Sequence, residues 1–374
     1  MEKSGEKDRS VGVAQRASAN LGCVLAFLLV PVVTFVALWQ GFLFLRENTA
    51  PQWIQMIMAI VWGVGGVAAL FLVANFLLEQ LPTRWTTRLT PIIFVGPALA
   101  ILGWFLVMPV VRTLYMSFLD ASSKKFVGLD NFAYALTNSS MLEAFRNNVL
   151  WLVVGTGFSA GFGLLIAFLA DRTHPRFEAI IKSLIFLPLA ISMVGASVVW
   201  RFVYDFHPAG AAQIGVLNAI VTALGGDPQA WLMLQPLNNL FLIIVLIWLQ
   251  TGLAMVILSS AIKRIPAELL EAARMDGANE WQVVWNISIP YILGTIVGTS
   301  TVILILTLKV FDIVFTMTGG NYGTQVIANQ FYVEMFRSFQ YGRGAAIAVV
   351  LLIAIIPVAW YNLRQFGQQS EAFR

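Results

Sequence analysis

The sequence predicts an all-α protein that crosses a membrane several times. Of its 374 residues, 59% are hydrophobic and only 11% are charged, and the mean hydropathy is +0.79. A soluble domain of ordinary composition carries about 25% charged residues. The apolar residues are gathered in long runs without charge, and about 20 such residues in a helix cross a hydrocarbon core about 30 Å thick. These observations favour membrane-spanning helices over a soluble fold.

Eight apolar runs are long enough to span a membrane. They cover residues 17–45, 48–78, 89–111, 147–170, 183–200 (extended by Ile180 and Ile181), 237–262, 281–308 and 344–363. Two more uncharged stretches, 206–226 and 313–333, contain polar residues and glycine-rich turns whose backbone groups lipid could not satisfy. We therefore expect eight transmembrane helices, with outer loops and short helices at those two stretches. Pro188 and Ser192 predict a kink in the fifth span.

The distribution of basic residues predicts the orientation. With the amino terminus in the cytoplasm, 14 of the 23 Lys and Arg fall on inner segments, which agrees with the positive-inside rule. Both termini are then expected to be cytoplasmic. Residues 1–16 are predicted to be a cytoplasmic tail, and the run after it an uncleaved anchor, because it is too long for the apolar region of a signal peptide.

The stretch 271–290, EAARMDGANEWQVVWNISIP, is a polar island between two apolar runs. Pro266 opens a helical pattern that continues to Met275, and Gly277 follows the expected helix end. A second helix is predicted over 278–289, up to Pro290. This pattern indicates a helix-turn-helix at the cytoplasmic membrane surface, suited to docking and not to catalysis.

This stretch resembles the EAA loop of the membrane subunits of ATP-driven (ABC) importers. The matching positions are Glu271, Ala272, Ala273, Gly277, Ile287 and Pro290, and Ile289 stands where the family usually has Leu. Six positions in register favour this loop over an ordinary amphipathic surface helix. The resemblance implies that the loop, 263–290, docks in a cleft of a separate ATPase subunit. The implied coupling residues are Glu271, Ala272, Ala273, Arg274, Asp276 and Gly277.

The resemblance extends over roughly residues 91–366 and implies the domain organisation. Six spans follow residue 88, the number in the importer core, so 1–88 is expected to be a tail with a two-helix extension and 89–374 the permease domain. Segments 126–132 and 215–218 resemble sugar permeases, and the closing region resembles α-glucoside permeases. The resemblance implies a second permease subunit, an ATPase dimer, an outer sugar-binding protein and a place in the bacterial inner membrane. No cofactor is expected.

Polar residues inside the predicted spans indicate a sugar site. Gln250 and Thr251 lie near the middle of the fourth core span, where polar groups that face lipid are costly. In the resembling family, positions matching 249–253 and the fifth core span line the sugar site of one permease subunit. The predicted substrate-binding residues are Ser192, Gln250, Thr251, Gly252 and Thr307.

Three other features leave alternatives open. Gly157 and Gly161 are predicted to form a small-residue face for close helix packing. Lys309 and Asp312 are three residues apart and indicate either a surface ion pair or a role in gating. The family usually reads GGP where this chain has Gly320, Asn321 and Tyr322, so the shape of that turn is not predicted.

The absence of certain motifs limits the function. No G-x-x-x-x-G-K-[ST] loop is present, so ATP chemistry must come from another subunit. The single cysteine, Cys23, excludes an intrachain disulfide, and no metal site is expected. His174 and His207 fall in different loops, which disfavours an enzyme. The sequence thus predicts a sugar-importer permease, with an ion-gradient-driven secondary transporter as the alternative.

Overall fold

The computed structural model describes residues 28–47 and 50–372, and in that part of the chain the regular elements are helices, apart from one isolated bridge between Leu119 and Phe126. The predicted tail 1–16, the first residues of the first predicted span, Cys23 and Arg374 lie outside the described residues. The described part of the chain divides into two compact units, the first ending at Pro109 and the second beginning at Val110. The functional boundary predicted at residue 88 stays a prediction.

The first unit is built on three long helices: α1 (Leu28–Glu47), α2 (Gln52–Glu79) and the start of α3 (Thr83–Met116). The indole N–H of Trp62 donates to the carbonyl oxygen of Leu38 at 2.8 Å, which joins α2 to α1. Phe71 and Phe94 stack with ring centroids 5.5 Å apart and join α2 to α3. Apart from such contacts, these helices bury almost none of their apolar side chains against one another.

The second unit contains the remaining helices. They are α4 (Asp130–Thr137), α5 (Ser139–Asp171), α6 (Pro175–Ala190), α7 (Met193–Val203), α8 (Val216–Ala223), α9 (Asn238–Ile262), α10 (Ala267–Met275), α11 (Glu280–Leu308), α12 (Asp312–Met317), α13 (Ile327–Tyr332) and α14 (Tyr341–Ala372). Wider π-helical turns interrupt α5 at Trp151–Thr156 and α11 at Val284–Ser288.

The predicted spans are confirmed as apolar helices, with one change of shape. Seven helices among the described residues are long and apolar enough to cross a membrane, and an eighth span arises if α6 and α7 are counted together. These two helices meet at a bend of 102° between Ala190 and Met193, so the predicted kink is a sharp break. The two stretches excluded as spans form only the short helices α8, α12 and α13.

Helix α9 is the centre of the second unit. In its most apolar 18-residue window, 56% of the residues are buried, the largest share of any candidate span in the described chain. Its contact with α5 depends on Gly163, where a Cβ would lie 2.8 Å from the backbone nitrogen of Met255. Its contact with α6 depends on Gly252, where a Cβ would lie 2.5 Å from the carbonyl oxygen of Ile185. Because glycine has no side chain, Gly163 and Gly252 allow these helices to pack closely.

The prediction that Gly157 and Gly161 form the packing face of α5 is wrong for contacts within this chain. A Cβ at either position would meet nothing within 4 Å. The buried face instead contains Ser159, Ala160, Gly163, Ala167 and Ala170. Small residues occur on more than one side of this helix, so their spacing alone does not identify the side that packs.

The prediction of a separate second helix that ends at Pro290 is also wrong. The helix that begins at Glu280 continues through the π-helical turn Val284–Ser288 and runs to Leu308. Proline usually breaks a helix because it lacks an N–H and its ring meets the preceding turn. Pro290 lies in the first α-helical turn after a π-helical turn with the wider i→i+5 pattern. At this position the helix does not need a hydrogen bond from the backbone N–H that proline lacks. The turn after the predicted docking helix therefore leads directly into α11.

Candidate functional site

The predicted docking loop is a helix, α10, that stands out from the unit with no buried residue. It ends in a Schellman motif, in which the Ala278 N–H donates to the Ala273 carbonyl at 3.0 Å and the Gly277 N–H to the Arg274 carbonyl at 3.1 Å. Gly277 has φ +89°, which favours glycine. The next helix begins at once, because Asn279 and Gln282 form a capping box.

The six predicted coupling residues therefore lie together on one short, well-defined hairpin. Five of them are exposed and Ala273 is half-buried. The exposed positions are Glu271, Ala272, Arg274, Asp276 and Gly277. An exposed helix whose carboxyl-terminal end is fixed by a Schellman motif presents a defined surface.

Glu280 connects α10 to α5 and α11. One carboxylate oxygen accepts from Nε of Arg274, on α10, at 2.9 Å. The other accepts from Nη2 of Arg172, at the end of α5, also at 2.9 Å. The hydrogen bond to Glu280 raises the pKa of the Arg274 guanidinium, which stays charged. Three elements, α5, α10 and α11, thus meet at one carboxylate.

A second ionic cluster lies at the same ends of the helices. Nζ of Lys263, just after α9, lies 2.5 Å from a carboxylate oxygen of Glu178 and 3.5 Å from one of Asp171. The hydrogen bond that Lys263 donates to Glu178 raises the pKa of Lys263. Lys182 donates to Glu178 and to Ser259 of α9. The cation inside the predicted fifth span is therefore paired and is not left alone in an apolar region.

The predicted sugar-binding residues have different environments. Gln250 is 2% exposed, and its Oε1 atom is buried without a hydrogen-bond partner. Thr251 and Thr307 are buried and donate to carbonyls one turn earlier, those of Ile247 and Ile303, at 2.7 and 2.8 Å. Gly252 packs against α6, as described above. Ser192 is exposed at the break before α7, where it accepts from the Gly195 N–H at 3.1 Å.

A cleft of about 280 Å³ opens beside these residues, between α5, α6, α7 and α9. Thr251 lines it, together with the aromatic rings of Trp200 and Trp248, whose centroids are 5.8 Å apart. Aromatic walls with a few polar groups are typical of small-molecule sites. Gln250 and Thr307 are enclosed by helices, and a shared cavity for all five residues stays a prediction.

A polar network that the sequence did not predict lies at the opposite end of the unit. Four buried asparagines carry it: Asn147, Asn148, Asn238 and Asn239. Asn147 and Asn239 both donate to the carbonyl oxygen of Gly323, at 2.9 and 3.0 Å, and Asn238 donates to that of Tyr322 at 2.7 Å. The signal was two asparagine pairs near the outer ends of predicted spans. The hydrogen bonds to Tyr322 and Gly323 stabilise the turn whose shape the sequence did not predict.

The ion pair considered for Lys309 and Asp312 is not formed. The ion pairs of the described chain lie elsewhere, and neither residue takes part in one. Lys309 follows the end of α11, while Asp312 begins α12 after a break at Val310 and Phe311. The two residues therefore do not share one helix, which removes the basis of that prediction. A role in gating stays a prediction.

Comparison with known proteins identifies the family. No family model matches the chain. The chain is 56% identical over 278 residues to the osmoprotective compounds uptake permease protein GgtC of Synechocystis, a match that covers 74% of this chain and 99% of that protein. It is 46% identical over 333 residues to the alpha-glucoside transport system permease protein AglF of Rhizobium meliloti, a match that covers 84% and 98%.

The fold agrees with this relationship. A chain of a bacterial alginate ABC transporter, solved in complex with an alginate-pentasaccharide-bound periplasmic protein, superposes with a TM-score of 0.64 at 21% identity. The match covers 74% of this chain and 95% of that one. The chain therefore belongs to the permease subunits of ABC sugar importers, which are multi-pass membrane proteins and transport subunits, not enzymes.

Proposed function

We propose that this permease carries an α-glucoside or a related oligosaccharide, of the maltose, sucrose or trehalose kind. The support is the 46% identity to a permease named for α-glucosides, over 84% of the chain. Family membership favours ATP-driven import over the ion-gradient-driven alternative. The sugar path is proposed to pass the five predicted residues, of which Gln250 holds an unpartnered buried oxygen that a sugar hydroxyl could satisfy.

One observation supports a coupling function for the predicted docking loop. Helix α10 buries none of its residues, although a Schellman motif fixes its carboxyl-terminal end and Glu280 connects it to two membrane helices. A surface this well fixed and this exposed is suited to a partner's cleft. We propose that Glu271, Ala272, Ala273, Arg274, Asp276 and Gly277 contact a separate ATPase subunit. The full importer would contain an ATPase dimer and a second, similar permease.

The orientation follows from the same proposal. If α10 meets an ATPase, its end of the unit faces the cytoplasm, and the asparagine network faces outward. The basic residues Arg172, Lys263 and Arg274 then lie on the inner side, as the positive-inside rule expects. Both termini are proposed to be cytoplasmic, in a bacterial inner membrane. A sugar-binding protein would dock on the outer end, and the alginate transporter, which forms a complex with its own periplasmic protein, supports such a partner.

Affinity purification and transport measurements test the proposal. The tagged full-length chain is extracted from its native membranes in mild detergent, and the proteins that stay bound are identified. We expect an ATPase subunit and a second permease to co-purify. Vesicles containing this assembly should take up labelled maltose, sucrose or trehalose only with ATP and the binding protein. An assembly without an ATPase, or uptake that follows an ion gradient without ATP, would contradict it.

A further inference from the structure

A second cleft, of about 230 Å³, lies at the proposed outer end of the unit, far in sequence from the docking loop. None of the five predicted sugar-binding residues lines it. Its walls come from the end of α7, the segment before α9 and the turn after α12. The lining residues that matter here are Arg201, Asp205, Trp231, Met233, Thr318 and Tyr322. These six residues supply two aromatic rings, two opposite charges and two hydroxyl groups.

The backbone at Tyr322 is held in an unfavourable conformation. Its φ is +58°, in the left-handed region that a bulky side chain rarely adopts. The hydrogen bond from Asn238 to the Tyr322 carbonyl and the two to the Gly323 carbonyl hold the turn in this shape. The Tyr322 side chain is nevertheless 45% exposed and lines the cleft, so it gains little from core packing. Strain of this kind is concentrated at functional sites.

The facing wall of the cleft is fixed by another asparagine. Asn218 is fully buried, and its Nδ2 atom donates to the carbonyl oxygens of Asp205 and Gln229 at 2.8 and 3.0 Å. Its Oδ1 atom accepts from the Gln229 N–H at 2.8 Å. These bonds fix the segments that carry Asp205 and Trp231. The Trp231 ring also packs edge-on against Phe241, with centroids 5.2 Å apart.

We propose that this outer cleft binds one ring of the sugar before it enters the path between the helices. The apolar face of a pyranose would lie against Tyr322 and Trp231, while Arg201 donates to its hydroxyls and Asp205 accepts from them. The cleft is smaller than the roughly 300–1,000 Å³ typical of drug-sized ligands, which suits a single ring. The inference rests on the proposed sugar substrate, and its ligand class is a neutral hexose unit.

Protection of an engineered thiol tests the site. Met233 lines the cleft and is 54% exposed, so Met233→Cys in a Cys23→Ser background gives the full-length chain one reporter. In right-side-out membrane vesicles, a membrane-impermeant maleimide should label it. Maltose, sucrose or trehalose at about ten times its Kd should slow labelling about tenfold. Leu129→Cys, which is 67% exposed and does not line the cleft, is the control reporter whose labelling sugar should not change.

Two substitutions at Tyr322 then test whether its aromatic ring is needed for the protection by sugar. Tyr322→Asn keeps a residue that tolerates the left-handed conformation but removes the ring, so protection of the Met233→Cys reporter should be lost. Tyr322→Phe keeps the ring and should keep the protection. Absence of protection by all three sugars, or protection that survives Tyr322→Asn, would overturn the inference. Neither result would affect the ATPase co-purification and uptake that test the proposed function.

Discussion

Glu280 and Arg172 join two membrane helices, with a carboxylate oxygen of Glu280 on α11 lying 2.9 Å from Nη2 of Arg172 at the end of α5. Arg274, on α10, donates to the other carboxylate oxygen at the same distance. Helix α10 is therefore linked to α5 through side chains as well as to α11 through the backbone. Glu280 lies outside the six matching EAA positions.

The first prediction concerns this connection. Glu280→Gln should weaken both arginine contacts, because the amide carries no negative charge and has one acceptor oxygen where the carboxylate has two. Since the three side chains are about half exposed, folding should change little. We expect ATP hydrolysis to persist while the sugar imported per ATP falls. Both rates are measured on the same reconstituted vesicles.

A charge exchange supplies the control for that prediction. Arg172→Glu alone should place two carboxylates together, and Arg172→Glu with Glu280→Arg should restore that one contact. Partial recovery of import per ATP in the double variant indicates direct coupling. Equal loss of ATP hydrolysis and import in all variants would instead indicate a purely structural role.

The second prediction tests the docking loop itself. Glu271→Lys reverses an exposed charge, and Gly277→Pro cannot adopt the φ of +89° that ends α10. Both should abolish uptake while the chain remains inserted, because neither residue lies in a span. Uptake and membrane fractionation are compared with Asp227→Lys, a charge reversal at an exposed residue far from the loop. Normal uptake by both loop variants would remove the coupling assignment.

The third prediction concerns sugar selectivity at Gln250 and Thr307. A buried oxygen without a partner costs about 1–3 kcal/mol, so Gln250→Leu should keep or raise thermal stability while uptake falls. Thr307→Val removes only a bond to a carbonyl one turn earlier. Competition among maltose, sucrose and trehalose measures selectivity. If both variants keep transport and preference unchanged, with ATPase coupling intact, the sugar site belongs to the partner permease.

The fourth prediction compares two glycines of α5. Gly163→Val should disturb the contact with α9, since even a Cβ there would meet the Met255 backbone at 2.8 Å. Overpacking of this kind typically costs about 1–3 kcal/mol. Gly161→Val places the same side chain where nothing lies within 4 Å. In detergent, Gly163→Val should unfold at a lower temperature than Gly161→Val. Equal unfolding temperatures would contradict the assigned packing face.

Much of the fold could be predicted because a bilayer imposes simple requirements on composition and length. The apolar runs predicted the spans, and Pro266 and Gly277 predicted the ends of α10 to within one residue. The break at Ser192 was also visible, because proline and serine inside a span disfavour a straight helix. These features depend on local sequence alone, and each residue acts on its own turn.

The remaining features depend on residues far apart in the chain. Asn147 and Gly323 are separated by 176 positions, so neither one indicates the other. Arg172 and Glu280, 108 positions apart, show the same difficulty. The continuity of α11 past Pro290 depends on a π-helical turn that no residue type specifies. Side-chain partners across helices therefore required the structure.

The three N-terminal helices bury almost none of their apolar side chains against one another, whereas most of α9 is enclosed. A lipid-facing position only has to remain apolar, so Leu, Ile, Val and Phe can replace one another there at little cost. An enclosed position must also keep its volume and shape. Over evolutionary time, α1 and α2 are thus expected to conserve hydropathy while their residue identities drift, and α9 to change slowly.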